Sequence, residues 1–443
     1  MKTSLIAVLM VLFALPLAAQ RSEIGFYRNP DQRGLNVFET IQEDTVPYTG
    51  LKVRLGGNFT QQFQALSHSN EANPNMVDFR DGQINLNALY PLSNGLNLAT
   101  ANLNFDVQLE DGIRMSLESY MSSRHHSEFW VKGGYIQVDK LPMFGNPQWF
   151  TDHVSVKIGH MEVNYGDQHF RRSDNGRTLF NPFVGNTIMD AFTTEIGGEV
   201  YVNLTPDFFV MGGMTSGLIS GDVKDVGVTK NPSLLAKAGY DSQISDDLRV
   251  RLTGSLYTNP GTTRNTLYAG DRAGSRYYMV ADPEYYRNYR AGGAITAASA
   301  DNTFTSGRFN PNFTQQVNAF MVNPFVKFKG LEFFGMYEVA SGTQSATAES
   351  RQVTQLMGEV VYRFLDREQM YIGARFNQVS GEIGGANGEV SIDRMQLGLG
   401  WYTTKNLLVK LEYVNQSYND FDANDYRHGL KFNGLMIEAA VGF

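Results

Sequence analysis

Three arginines, Arg171, Arg172 and Arg177, fall in a polar, glycine-containing stretch, HFRRSDNGRTLFNPFVGN. A guanidinium presents a planar fork of donors that matches carboxylate and phosphate geometry. Folded into a channel, these three would narrow it and favour anions; in an external loop, Asp167, Asp174 and Asp190 would cancel their charge. Further cations recur at alternate positions of regular segments: Lys52, Arg54, Arg114, Lys157, Lys237, Arg249, Arg251, Arg363, Arg375, Arg394, Lys410 and Lys431. Asp106, Glu118, Glu195, Glu199, Glu332, Glu338, Glu359, Glu412 and Glu438 share those faces. A small basic excess on the wall of a narrow, low-dielectric channel favours anions, whereas paired charges would only hydrate and stiffen it.

Catalytic and metal chemistry find less support. The histidines, His68, His125, His126, His153, His160, His169 and His428, belong to no H-E-x-x-H motif, and neither a G-x-S-x-G elbow nor a nucleotide-binding glycine loop occurs. The chain is therefore not expected to be an enzyme or to need a cofactor. Asp420, Asp422 and Asn424 follow the opening spacing of a calcium loop, but Asp425 stands where glycine is wanted and Lys431 where a bidentate glutamate belongs. The absence of cysteine excludes disulfides, thiolate metal sites and a lipoprotein anchor. A net charge of -8 over 443 residues argues against a nucleic-acid partner.

The elements that would position these residues are strands. Lys2, the apolar run from Leu5 to Leu15, and Ala18-Ala19 read as a signal peptide over residues 1–19. That run is shorter than the roughly 20 residues of a membrane helix. From residue 51 onward, runs of alternating apolar and polar residues are closed by Gly, Asn, Asp or Ser. In Arg249–Tyr257, Val250, Leu252, Gly254 and Leu256 share one face, while Arg249, Arg251, Thr253, Ser255 and Tyr257 share the other. Tight turns such as Glu110-Asp111-Gly112 and Lys329-Gly330 alternate with long connections such as 163–194 and 258–314. That layout predicts an all-β, transmembrane antiparallel barrel over 51–443, with short periplasmic turns and long extracellular loops. Because both ends must return to the periplasm, the strand number is even. About sixteen strands result once Gln83–Tyr90 is read as part of the first external loop. Residues 20–50 lack alternation and read as a periplasmic lead-in or plug. Residues 129–139 and 315–328 show no clear phase.

At the C-terminus, Leu435, Ile437, Ala439, Val441 and Phe443 share one face. A terminal aromatic on an amphipathic last strand resembles the signal read by the barrel-assembly machinery, which makes Phe443 the candidate assembly signal. The opposite parity of Leu430 and Phe432 predicts a bulge near Asn433-Gly434.

The stretch TANLNFDVQLEDGIRMSLESY resembles the second and third strands of the phosphate-selective porin (porin O and P) family. GGYIQVDKLPMFGNPQWFTDHVSVKIGHMEVNYG is similar to that family's next strand pair, and HFRRSDNGRTLFNPFVGNTIMDAFTTEIGGEVYVN to its third loop and sixth strand. The resemblance implies a sixteen-stranded, trimeric diffusion channel with an inward-folded third loop, and carries Arg171, Arg172 and Arg177 over as constriction candidates. The dense arginine ladder and lysine cluster associated with phosphate selectivity are not evident.

The expected function is passive diffusion of small hydrophilic solutes across the bacterial outer membrane, with an anion or phosphate preference. Two alternatives stand beside it. One is a plugged barrel serving as adhesin or surface receptor, suggested by Tyr277, Tyr278, Tyr285, Tyr286 and Tyr289 in loop 258–314. The other is an oligosaccharide channel with a slide formed by Tyr120, Tyr201, Tyr257, Tyr371 and Tyr402. Expected partners are outer-membrane lipid and lipopolysaccharide, the barrel-assembly machinery, small anionic or neutral solutes, and two further copies in a homotrimer.

Overall fold

The computed structural model describes residues 24–25, 27–39, 46–97, 99–122, 129–218, 223, 230–269, 274–288, 292–299, 305–383 and 387–443; the expected signal peptide, His125 and His126 lie outside these. Sixteen long strands follow one another in chain order: β1 (Lys52–Ser69), β2 (Thr100–Glu110), β3 (Ile113–Ser122), β4 (Trp130–Val138), β5 (Val154–Glu162), β6 (Thr194–Thr205), β7 (Phe208–Thr215) and β8 (Ser233–Gln243). Then come β9 (Leu248–Asn259), β10 (Gln316–Phe328), β11 (Leu331–Thr343), β12 (Arg351–Phe364), β13 (Met370–Glu382), β14 (Glu389–Thr404), β15 (Leu407–Asn419) and β16 (Lys431–Gly442). Each pairs antiparallel with its neighbours, and β1 closes the sheet, with Asn58 opposite Gly442 on β16 and Lys52 opposite Gln108 on β2. Closure leaves no edge of unpaired amides, the condition for a sheet to sit in lipid.

The alternation sets the two faces. Leu252, Ile372, Leu397, Trp401 and Ile437 point outward and are exposed, whereas Arg251, Tyr371, Gln396, Tyr402 and Glu438, one residue away from each, are buried inside. Within the first external loop, a hairpin of Met76–Phe79 and Gly82–Asn85 lies apart from the barrel sheet, so Gln83–Tyr90 does not span. Between β4 and β5, where the other connections at that end are tight, a turn of 3₁₀ helix (Pro142–Phe144) and a six-residue helix (Gln148–His153) intervene.

One predicted irregularity is absent. The register of β16 against β1 and β15 runs without a shift through Asn433-Gly434, and Phe432 points inward in phase with Met436. Leu430 and Phe432 are buried because the lumen itself holds an apolar core, a destination that reading its face as wet had excluded. Lys431, assigned to the lumen on the basis of that bulge, is instead exposed on the outer face.

Candidate functional site

The lumen is largely filled. The third external loop (163–193) folds inward and is buried almost throughout. Thr60 of β1 donates to Gly176 O at 2.7 Å, Lys410 of β15 donates to the carbonyls of Thr178, Asn181 and Phe183 at 3.0, 3.2 and 2.9 Å, and the amides of Ile188 and Met189 donate to Asn377 and Gln355 at 2.7 and 3.0 Å. The loop thus traverses the lumen from β5 past β1 and β15 to β12, finding side-chain partners for the backbone groups that a closed barrel removes from water. Phe183 packs beside Gly373 and Gly398, where added Cβ atoms would lie 3.3 and 3.1 Å from its ring. The fifth loop (260–315) enters as well. Tyr277 and Tyr278 are buried, Tyr277 donating to Glu412 at 2.7 Å, and Tyr268 and the third loop's Tyr165 both donate to Glu338 of β11 at 2.8 and 3.1 Å.

The third filling element is the N-terminal segment. The Tyr27 hydroxyl donates to Asp106 of β2, Asn36 donates to Glu332 of β11 at 2.6 Å, Gln32 N donates to Lys405 O at 2.9 Å, and Glu39 pairs with Lys237 of β8 at 2.7 Å and Arg251 of β9 at 2.5 Å. Residues 27–39 therefore cross the barrel near its tight-turn end, forming a floor inside the lumen.

The candidate basic residues face inward, and most are engaged. Arg54 makes a two-nitrogen contact with Asp106 at 2.7 and 3.0 Å. Arg114 donates to Gly25 O at 3.0 Å and lies 3.8 Å from Asp139. Lys237 and Arg251 share Asp167 at 2.7 and 2.8 Å; burial penalises that carboxylate, but the two cations outweigh it and hold Asp167 well below the usual range. Arg249 pairs with Asp241, Arg375 with Glu359 and Lys410 with Glu438. Arg394 donates to Gln416 and to the carbonyls of Asn186 and Gly307. Lys52 sits at the rim, within 3.5 Å of Pro47 O.

Of the constriction candidates, Arg171 is buried between Glu359 (2.6 Å) and Glu332 (3.5 Å), and Arg172 pairs with Asp190 at 2.5 Å. Both brace the loop. Arg177 alone of the three borders open space, 3.3 Å from Asp174 and 3.8 Å from Glu162. The five inward tyrosines end as struts: Tyr371 and Tyr402 donate to Pro182 O and Leu179 O at 3.0 and 2.5 Å, Tyr257 donates to Glu195 at 2.6 Å, Tyr120 contacts Asp174, and Tyr201 donates to Glu199 at 2.6 Å. Asp422 accepts from Asn424 N at 2.8 Å in a local turn, Asp420 is exposed, and no cluster of three or more metal-ligating side chains occurs among the described residues. Phe443 lies at the closing seam, exchanging backbone bonds with Gly57 at 3.0 Å.

Among the described residues, a cavity of about 190 Å³ stays open against β3–β6, between that wall, the third loop and the floor. Its charged lining comprises Arg28, Arg114, Lys132, Lys157 and Arg177 against Glu39, Glu118 and Glu162. Below the floor, a vestibule of about 880 Å³ at the tight-turn end is lined by Arg33, Arg249, Lys327, Lys329, Arg367 and Lys405 together with Asp246, Asp247, Asp366 and Glu368. Lys132 bonds to Glu118 at 3.1 Å and also contacts Asp174; burial penalises that carboxylate, but Lys132, Arg177 and Arg172 outweigh it and hold Asp174 below the usual carboxylate range.

A closed, edge-free sheet with an apolar belt outside and its polar side chains turned inward has one environment that satisfies both faces. The fold is that of an integral outer-membrane barrel. It is similar to an anion-selective porin from Comamonas acidovorans, with a TM-score of 0.52, 9% identity, and 89% of this chain and 100% of that chain covered. Against OprB of Pseudomonas putida the TM-score is 0.50 with 12% identity over 88% of this chain and 94% of that one, and against OmpF of Salmonella typhi it is 0.50 with 13% identity over 89% and 98%. At such identities the likeness is one of fold. No protein-family model and no curated protein matches the chain by sequence.

Arg28 was missed in the sequence, where residues 20–50 read as a periplasmic lead-in or plug without candidate site residues. No periodicity marks residues 20–50, and the alternation of aromatic and charged residues in Tyr27, Arg28, Phe38 and Glu39 acquires meaning only from partners on distant strands.

Proposed function

We propose that the chain is a narrow outer-membrane porin through which small hydrophilic solutes diffuse passively, with a preference for anions. The observation that carries this reading is the cavity along β3–β6, left open among the described residues and lined by five guanidinium or ammonium groups and three carboxylates. Its size suits solutes of a few heavy atoms, below the 300–1,000 Å³ or so of drug-sized sites. Phosphate, the solute suggested by the resemblance to the porin O and P family, falls within this class, as do small carboxylates. We propose further that three copies assemble and that Phe443, exposed at the seam, is read by the assembly machinery. In planar bilayers under a salt gradient, the reversal potential should lie on the anion side. A cation-selective channel would overturn the solute preference, and a folded protein without conductance would overturn the porin reading.

The packed lumen favours a second reading, a surface receptor. Outside the barrel, the Met76–Phe79 hairpin meets a second hairpin, Tyr285–Asn288 with Ala294–Ala297, through Phe79 and Tyr285 at a ring separation of 5.6 Å, and a groove of about 450 Å³ is lined by His68, Asn70, Leu89 and Leu92 among others. Deleting residues 262–308 should then abolish ligand or cell binding and leave conductance unchanged; because the same loop also packs the lumen, a rise in conductance supports the porin reading instead.

A further inference from the structure

The guanidiniums and ammoniums around the cavity are not equivalent. Lys132 and Arg177 share Glu118, Glu162 and Asp174, and Arg114 faces Asp139. Among the described residues, Arg28 has no carboxylate within ion-pair distance. Its Nε donates to Gly34 O at 2.9 Å, one Nη2 hydrogen goes to Phe170 O at 3.0 Å, and the guanidinium lies over the Phe180 ring with its central carbon 3.8 Å from the centroid. Those contacts fix the plane of the fork and occupy Nε and one Nη2 hydrogen, Nη1 having no hydrogen-bond partner among the described residues, and the side chain lines the cavity. Its charge is penalised by burial and by the Arg177 guanidinium, with Glu162 compensating in part. Lys157, on the same cavity, packs over the Tyr135 ring at 4.5 Å and likewise makes no ion pair among the described residues.

A cation already paired contributes little net potential to a passing solute, whereas an unpaired one acts at full strength. We infer that Arg28, carried on the N-terminal floor rather than on the third loop or the wall, is the residue that sets this channel's preference for small anions, with Lys157 as the second point of contact. The inference rests on the cavity being the permeation path. The free edge of a guanidinium offers two parallel donors, so the favoured solute is a small carboxylate or oxyanion over chloride. A lysine there would keep the attraction for anions but lose that discrimination.

The chain contains no cysteine, so Arg28→Cys introduces a unique thiol. The test compares wild type, Arg28→Gln, Arg28→Lys and Arg28→Cys in planar bilayers under potassium chloride and potassium acetate gradients, each first shown to be folded by its heat-modifiable migration in detergent gels. Arg28→Gln should lower the anion-to-cation permeability ratio on the order of tenfold, the combined effect on anion and cation of one unit charge at roughly 5 Å in water. Arg28→Lys should retain the ratio in chloride and lose the advantage of acetate over chloride. Arg28→Cys should behave as Gln, recover anion preference after reaction with an aminoethyl methanethiosulfonate, and fall further after reaction with the sulfonatoethyl reagent. Conducting variants with an unchanged ratio overturn the role of Arg28 while leaving the permeation reading intact. Absence of conductance from both wild type and a chain lacking residues 24–39 overturns the permeation reading and the inference with it.

Discussion

Glu412 of β15 is one of the points at which both infolded loops meet the wall, and removing it should open the lumen. Its carboxylate accepts from Val184 N at 2.8 Å, Gly185 N at 3.3 Å, the Tyr277 hydroxyl at 2.7 Å and Gln396 Nε2 at 2.9 Å. In Glu412→Ala, Gln396 and Tyr277 can still bond to each other, since they already stand 3.2 Å apart. The two loop amides lose their acceptor in a site closed to water. Each buried orphan costs about 1–3 kcal/mol, and a bond to a charged group is worth about 1.5–3 kcal/mol, so docking of the loops should weaken by roughly 3–6 kcal/mol. At 1.4 kcal/mol per tenfold, the docked-to-undocked ratio falls by about two to four orders of magnitude. The barrel itself should survive, because the ladder between β15 and its neighbours is made by main-chain groups. Single-channel recordings should show a larger and noisier conductance, and external protease should cut within 163–193. Glu412→Gln, which keeps one acceptor oxygen, should lie between the two. A folded Glu412→Ala protein with wild-type conductance and an uncut third loop would refute the claim that this carboxylate holds the loops inside.

Three further outcomes are expected. Arg251→Met removes a cation shared by Asp167 and Glu39, and breaking such a buried pair costs about 3–5 kcal/mol, so the temperature at which the barrel loses its folded gel mobility should drop and residues 27–39 should become open to protease from the turn side. Burial pushes Asp282, which accepts from Ser306, up to about 6. A raised carboxyl pKa adds stability that is complete below its unfolded value near 4 and lost as pH climbs through 6, so amide protection in the fifth loop around 282 and 306, taken relative to the base-catalysed intrinsic exchange rate at each pH, should be higher at pH 5 than at pH 7.5; the reverse order would contradict this assignment. Gly434, at φ +146°, leaves no room for a side chain, since an added Cβ would sit 2.1 Å from Ala65 O across the β1–β16 seam. Gly434→Val should therefore reduce the yield of heat-modifiable barrel far more than Gly358→Val, where the same atom meets open space.

The strands were legible because the contrast between lipid and lumen was strong along most of the wall, as at Leu252 beside Arg251. Where the lumen turned apolar, the contrast vanished. In β10, Val317, Ala319, Met321 and Phe325 face an internal core while Phe320 and Phe328 face outward, and a period of two between equally greasy faces carries no phase. In β4 the shift of register at Glu118/Ser119 brings Gly133-Gly134 against β3 and β5, where glycine lets the backbones approach and erases the side-chain signal. The third loop was recognisable as basic and inward-folding, but whether its arginines were free depended on Glu332, Glu359 and Asp190, up to 188 residues away.

That dependence bears on how selectivity can be argued for such a wall. A loop drawn into a closed barrel brings backbone amides and carbonyls that must find partners there. Wall carboxylates such as Glu412 take the amides, wall cations such as Lys410 take the carbonyls, and the remaining charges neutralise one another in pairs such as Arg375–Glu359. The tally of charges along the strands therefore measures chiefly how the lumen is braced. A solute in the cavity responds to what that tally leaves after pairing, here Lys157 among the described residues, together with Arg28 on the floor. Neutralising an engaged wall cation such as Arg375 should consequently cost stability and leave the reversal potential near its wild-type value, whereas neutralising Arg28 should do the opposite.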